Sequence, residues 1–384
     1  MEKASISAFQ LFILAFLFEI GSSLLVALSI GGAKQAAWIS ILMGASAGIV
    51  LFFIYYLLYR FYPRMLPVEY MQVLLGSTAG KIIGFIYILD FIYRTSRNLR
   101  DFGEILTSTF YVETPLFVLN ALFILTAIYG LSKGIEVLAR SAEVLFYIFL
   151  AISVSGFLLI AFSGLIDVNN LKPVLPDGFR PVFRTFYTET LFIPFGEIFA
   201  VAMILPYVKN VKKAGRAVLY AIIASGIMLA LTMMINISVL GPQLAARAPF
   251  PLLSTIQSIQ LADFFERLDI YFILFLIIGG FFKLCIYFYA AVIGISSLFN
   301  IRKPSKIAYP VGVVALILSI AIASNFSEHI QEGHKVAPLF IQVPLQFVIP
   351  ILLLMIAIWK NRKQKKAKKE GSGKSTSSAS SKLK

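Results

Sequence analysis

The chain of 384 residues has one cysteine, Cys285, two histidines and two tryptophans, and only 14% of its residues are charged. A lone cysteine excludes a disulfide framework within the chain and any CxxC metal or redox site. The histidines, His329 and His334, stand five apart with no cysteine near them, which is poor spacing for a metal. HExxH and a phosphate loop are missing, and no carboxylate cluster has metal-ligand spacing. No enzyme, metal or cofactor is therefore read from the chain. The charged fraction falls well short of the roughly one quarter usual in soluble domains, too little to coat a soluble globule. The formal charge of +15 does not mark a nucleic-acid surface, because ten basic residues and one acidic one lie between Lys360 and Lys384.

What is present is apolar sequence, 59% of the chain. A bilayer core about 30 Å thick needs roughly 20 apolar helical residues. A window of that size predicts about ten spans, near 6–30, 36–59, 82–110, 115–131, 141–164, 187–208, 214–240, 268–299, 307–323 and 338–359. The first is too long, and too weakly basic ahead of its apolar run, for a signal peptide. One set of loops is dense in cations: Arg60 and Arg64; Lys133 and Arg140; Lys209, Lys212, Lys213 and Arg216; Arg302, Lys303 and Lys306; then the tail. Such loops face the cytoplasm, so both termini are expected there. Opposite them lie two long Pro-bearing loops, about 165–186 and 241–267, with a short surface helix expected around Leu252–Arg267 and another, on the cytoplasmic side, around Val68–Ser77. Residues 1–362 are read as one transmembrane domain with halves of about 1–164 and 187–359. Residues 363–384 are read as a basic, Ser/Gly-rich disordered cytoplasmic tail.

Two spans stop being apolar near mid-membrane. The first contains Phe18-Glu19-Ile20-Gly21-Ser22-Ser23 and the sixth Pro194-Phe195-Gly196-Glu197. Glycine, proline and hydroxyl residues there invite unwinding, which is tolerated at that depth only beside protein or a cavity. Breaks at corresponding positions of two five-helix halves point to a midplane binding site; close helix packing through small residues is the alternative. In span 3, Asp90, Arg94, Arg97, Asp101 and Glu104 recur at steps of four and three, which puts them on one helix face beside Arg100. Such charges are costly in a membrane unless paired or wet. The spacing predicts the pairs Asp90–Arg94, Arg97–Asp101 and Arg100–Glu104, with Arg94 or Arg97 available for a ligand carboxylate if the face lines a polar path. Lys283, in span 8 among Phe281, Phe282 and Tyr287, is placed to meet Glu19 or Glu197. Tyr93, Phe195, Phe281 and Phe282 point to an apolar part of a ligand; the other aromatics of 35 Phe and 17 Tyr are mostly packing and lipid surface. Glu69, Glu136, Arg140 and Glu143 sit at span ends, where they snorkel or pair.

Ten spans, breaks in the first and sixth and a charged third resemble the amino acid–polyamine–organocation superfamily. More narrowly, the chain is similar to the spore germination permease family, the B subunit of endospore germinant receptors. The resemblance is carried by Ile6-Ser7-Ala8-Phe9-Gln10 leading into Glu19-Ile20-Gly21-Ser22, by Tyr93-Arg94-Thr95-Ser96-Arg97 with Asp101 and Glu104, and by Gly134-Ile135-Glu136-Val137-Leu138-Ala139-Arg140-Ser141-Ala142-Glu143. It extends over about residues 4–362. It implies an all-α membrane protein built as a 5+5 inverted repeat with discontinuous helices 1 and 6. It also implies a receptor subunit of the spore inner membrane that recognises a small nutrient, usually an amino acid, beside a larger A subunit and a lipoprotein C subunit, and triggers ion release. Superfamily members hold the ligand at the unwound parts of spans 1 and 6. By position these are Gly21, Ser22 and Ser23, and Phe195, Gly196 and Glu197, with free N–H groups at the half-helix ends receiving the carboxylate and exposed carbonyls or Glu19/Glu197 receiving the amine. The first break is less glycine-rich than in many superfamily transporters. A proton-coupled amino acid permease working through Glu19, Glu197 or Asp90, and an assembly subunit with a vestigial pocket, are the competing readings.

Overall fold

A computed structural model describes residues 4–21, 30–259, 268–333 and 338–363, and every regular element among them is helical. Among the described residues, seven helices are long and apolar enough to cross a membrane: Lys34–Phe61, Ile135–Phe162, Arg180–Met203, Val211–Arg247, Asp269–Leu298, Pro304–Ala321 and Phe340–Lys363. Two shorter apolar helices, Ala8–Ile20 and Leu116–Ser132, and the charged 33-residue helix Ser77–Thr109 complete the ten spans read from the sequence. They are numbered in chain order, so that Ala8–Ile20 opens span 1 and Ser77–Thr109 is span 3. Ser22, Ser23, the segment 260–267 at the end of the expected surface helix, and all but the first residue of the tail 363–384 lie outside the described residues.

Local chemistry explains where the elements begin. Ser7 Oγ accepts from Gln10 N at 3.0 Å and Gln10 Oε1 accepts from Ser7 N at 3.0 Å, a reciprocal cap on the first turn of span 1. Two stretches that carry the family resemblance also meet each other. Glu136, at the start of span 5, accepts from Ser5 N at 2.7 Å, and Glu143 accepts from Gln10 Nε2 at 3.1 Å. The expected short helix before span 3 is Pro67–Leu75, with Glu69 Oε2 on Leu66 N at 2.9 Å and Glu69 Oε1 on Ser297 Oγ at 2.7 Å. Lys360, near the end of span 10, donates to the carbonyls of Val73 and Leu74 at 2.8 and 3.0 Å and caps that helix. Ser5 and Lys360 thus lie on one face of the bundle, called here the terminal face. The loop helices Pro251–Gln257 and Phe326–Gln331 lie on the opposite, far face.

Several spans depart from α-helix, among them span 7, which kinks at Gly241 with φ +74°. Span 1 ends its first helix at Ile20, with Gly21 at φ +21° as the cap. Span 6 is irregular over most of its length, a π-turn at Phe186–Thr190 followed by a nine-residue 3₁₀ stretch, Phe195–Met203. Such runs seldom exceed three or four residues, and the break is wider than the Pro194–Glu197 tetrapeptide had led us to expect. Span 8 carries a π-turn at Leu276–Gly280, and span 10 begins as a π-helix over Pro338–Val348 around Pro344. Neither of these two had been read from the sequence. Carbonyls freed in span 10 are met by tyrosines. Tyr55 of span 2 donates to Gln346 O at 2.9 Å and Tyr87 of span 3 donates to Leu345 O.

Candidate functional site

The charged stripe of span 3 divides into two clusters. The first lies at the breaks. Arg94 Nε donates to Asp90 Oδ2 at 2.9 Å, the i,i+4 pair expected from spacing, and Arg94 Nη1 donates to Glu197 Oε1 at 2.7 Å across to span 6. The guanidinium also stands 5.2 Å from the ring centre of Phe199 and 5.7 Å from that of Tyr287. With the Gln346 amide turned so that both its ends are satisfied, its oxygen accepts from Arg94 Nη2 at 3.0 Å and its nitrogen donates to the Gly196 carbonyl at 3.3 Å. From span 8, Lys283 Nζ approaches Glu197 Oε2 at 2.6 Å, a contact of charge rather than an aligned hydrogen bond, and lies 5.6 Å from the Phe18 ring centre. Asp90, Arg94, Glu197 and Lys283 are each at most 5% exposed.

Glu19 completes this cluster without joining it. It is fully buried on the last turn of the first helix, and neither carboxylate oxygen has a hydrogen-bond partner. An unpartnered buried carboxylate is costly, and Glu19 makes the acids of the cluster outnumber its cations by one. The backbone at both breaks is covered by long side chains. A Cβ on Gly21 would stand 3.0 Å from Lys283 Cβ and closer still to Cδ, and one on Gly196 would stand 2.6 Å from the near end of the Gln346 amide and 2.7 Å from the Leu191 carbonyl. A ligand reaching either break has to displace Lys283 or Gln346.

The second cluster lies toward the far face. Tyr93 OH donates to Glu332 Oε1 at 2.7 Å, Arg97 Nη1 meets Glu332 Oε2 at 2.5 Å, and Arg97 Nη2 donates to the His329 carbonyl at 2.9 Å. His329, buried in the helix Phe326–Gln331, pairs through Nε2 with Asp101 Oδ1 at 2.7 Å. The i,i+4 pair Arg97–Asp101 expected from spacing therefore does not form. Each partner is taken by this loop instead, which offers Arg97 a carboxylate and a carbonyl together and gives Asp101 an imidazole. Arg100 does pair with Glu104, at 2.6 Å, and donates to the carbonyls of Ser319 and Ile320 at 3.3 Å.

Of the residues singled out from the sequence, Glu19, Gly21, Arg94, Gly196 and Glu197 come together at the breaks. Tyr93 and Arg97 belong to the far cluster. Phe195 is buried against the glycines of span 2, its Cδ2 3.0 Å from a Cβ on Gly44 and its Cβ 2.7 Å from one on Gly48, so its ring fills a helix-packing position. Phe282 is buried with its ring 5.5 Å from Phe281, and Lys283 is the span 8 residue that reaches the breaks. Sequence reading missed Gln346 and Glu332, and considered His329 only as a metal ligand. The prolines around Gln346, at 338, 344 and 350, were the available signal for irregular backbone. Among the described residues no group of three or more His, Cys, Asp or Glu has the arrangement of a metal site.

Comparison with known proteins adds three kinds of match. The family described as spore germination protein matches residues 5–327. Spore germination protein KB of Bacillus subtilis (strain 168) is 47% identical over 96% of this chain and 99% of its own length. Spore germination protein YndE of the same organism is 28% identical over 85% of this chain and 88% of its own. Among solved structures, MhsT in complex with L-phenylalanine superposes with a TM-score of 0.68 at 15% identity, covering 93% of this chain and 89% of that one. Mhp1, a nucleobase-cation-symport-1 transporter with bromovinylhydantoin bound, gives 0.69 at 12% identity, covering 92% and 78%. At such identities the structures show a shared transporter fold and nothing finer.

Proposed function

The chain belongs to the spore germination protein family, and from that premise we propose that it is the nutrient-sensing membrane subunit of a germinant receptor. It binds a small nutrient, an amino acid in the first instance, near mid-membrane between spans 1, 3, 6 and 8. Both termini face the cytoplasm across the spore inner membrane. A larger A subunit and a lipoprotein C subunit act with it, and ligand binding triggers ion release through the assembly. The role is recognition, without catalysis.

The observation that carries this reading is the junction of Arg94, Glu197 and Lys283 at the two breaks. Arg94 is saturated by Asp90, Glu197 and Gln346. A ligand bearing carboxylate and ammonium groups therefore binds by exchanging partners within the network: its carboxylate meets free N–H groups at a half-helix end, and its ammonium meets Glu19 or Glu197. Exchange of partners on four spans gives the ligand different contacts in two states, which is what a population shift requires. The unpartnered Glu19 favours one alternative, a permease that moves its substrate with a proton.

The test is binding and uptake of a labelled amino acid panel by the purified protein in liposomes. Saturable binding of one compound without accumulation supports sensing. Proton-driven accumulation makes the protein a permease instead. Absence of both, repeated after co-expression with the partner subunits, contradicts the ligand site.

A further inference from the structure

Most cations deep in the bundle are committed: Arg94, Arg97, Arg100 and Lys283 all hold carboxylates. Several at the terminal face are not, Lys213 and Arg216 among them. Asn210 caps span 7 by accepting from Lys213 N at 3.0 Å, which fixes the first turn. From that turn Lys213, Arg216 and Tyr220 follow at i, i+3 and i+7, on one face. Both cations are exposed, and neither makes an ion pair or side-chain hydrogen bond among the described residues. They border a shallow groove, open to the surroundings, between span 7 and the first turns of span 1. Its other lining residues are Ala8, Phe9, Phe12, Ala217 and Tyr220, so two positive charges stand over an aromatic and aliphatic floor. Phe9 and Phe12 stack with ring centres 6.1 Å apart. At 1.5 Å per residue, Lys213 to Tyr220 covers about 10 Å along the helix, enough to run from headgroup depth into the first methylenes.

We propose that this groove binds one anionic phospholipid of the membrane, with its phosphate between Lys213 and Arg216 and an acyl chain laid over Phe9, Phe12 and Tyr220. Two unpaired cations above an apolar floor between two spans match that chemistry in charge and in polarity along the groove. A zwitterionic lipid matches the floor but lacks the net charge. The site contacts the helix whose far end carries Glu19 and Gly21, so an occupied groove braces the half of span 1 that leads to the first break. The proposal is independent of the ligand reading above.

The experiment is native mass spectrometry of the full chain in neutral detergent, titrated with phosphatidylglycerol or phosphatidylcholine. Three proteins are compared: the unsubstituted chain, Lys213→Gln/Arg216→Gln, and Lys209→Gln/Lys212→Gln, which removes the same charge from neighbouring exposed positions. Elution profile and thermal midpoint confirm that each is folded. The expected result is retention of one phosphatidylglycerol with about tenfold preference over phosphatidylcholine. The preference is lost in Lys213→Gln/Arg216→Gln and kept in Lys209→Gln/Lys212→Gln. Equal retention of the two lipids, persistence of the preference in Lys213→Gln/Arg216→Gln, or equal loss in both double variants would overturn it, the last by showing diffuse surface charge instead of a site.

Discussion

Span 3 carries one charged face, yet its middle and its outer end do different work. At its middle, Asp90 and Arg94 are buried and Arg94 reaches across to spans 6 and 10, with Lys283 of span 8 joining through Glu197. Toward the far face, Arg97 and Asp101 reach out to a loop helix through Glu332 and His329, and the Glu332 side chain keeps 31% of its exposure. Spacing along the helix is the same in both places. What differs is solvent. A buried pair cannot lose one partner without stranding the other, whereas a partly wet pair is relieved by water. The middle of span 3 thus locks membrane-spanning elements to one another, and its outer end fastens a loop.

The substitutions that break this contrast are ordered by size. Glu197→Ala strands Lys283 and takes one of two carboxylates from Arg94, and the expected loss is about 3–5 kcal/mol, read as a large fall in thermal midpoint or failure to accumulate in the membrane. Adding Lys283→Met to it should restore part of that loss, and a strictly additive double variant would count against the coupling. Gly196→Leu comes next, because its Cβ meets the Leu191 carbonyl, which cannot swing away. We expect about 1–3 kcal/mol of destabilisation and loss of nutrient binding, checked by thermal unfolding and ligand titration. Glu332→Gln removes the charge from a partly exposed pair and should cost about 1 kcal/mol or less. It should raise hydrogen exchange in Phe326–Gln331 while leaving spans 6 and 8 unchanged. Ser7→Ala deletes one half of the reciprocal cap and should cost about 1 kcal/mol at most, visible as faster exchange confined to the first turn of span 1.

The ten spans, the interruption of spans 1 and 6 and the Asp90–Arg94 and Arg100–Glu104 pairs were legible because each follows from composition or from helical spacing. Partnerships between elements distant in sequence were not. Nothing in the spacing of span 3 tells Arg97 that Glu332, 235 positions away, will displace Asp101. The pairing was settled by where the loop after span 9 folds back. Span 10 was read as an ordinary apolar helix although Pro344 stood in it, because a proline in a membrane helix is compatible with several local distortions. Which distortion occurred, and hence that Gln346 bridges Arg94 and Gly196, depends on Tyr55 and Tyr87 arriving from other spans to take the freed carbonyls. The packing of Phe195 was illegible for a related reason. An aromatic beside a break reads as ligand contact until the glycines of a neighbouring helix are seen to make room for it.

The central claim is that ligand acts on the network at the two breaks. The most direct measurement is binding of the active compound from the nutrient panel to liposomes containing the unsubstituted protein, Gly196→Leu or Glu332→Gln, each confirmed folded. The account predicts saturable binding to the unsubstituted protein and to Glu332→Gln, and none to Gly196→Leu. Undiminished binding to a folded Gly196→Leu would contradict it.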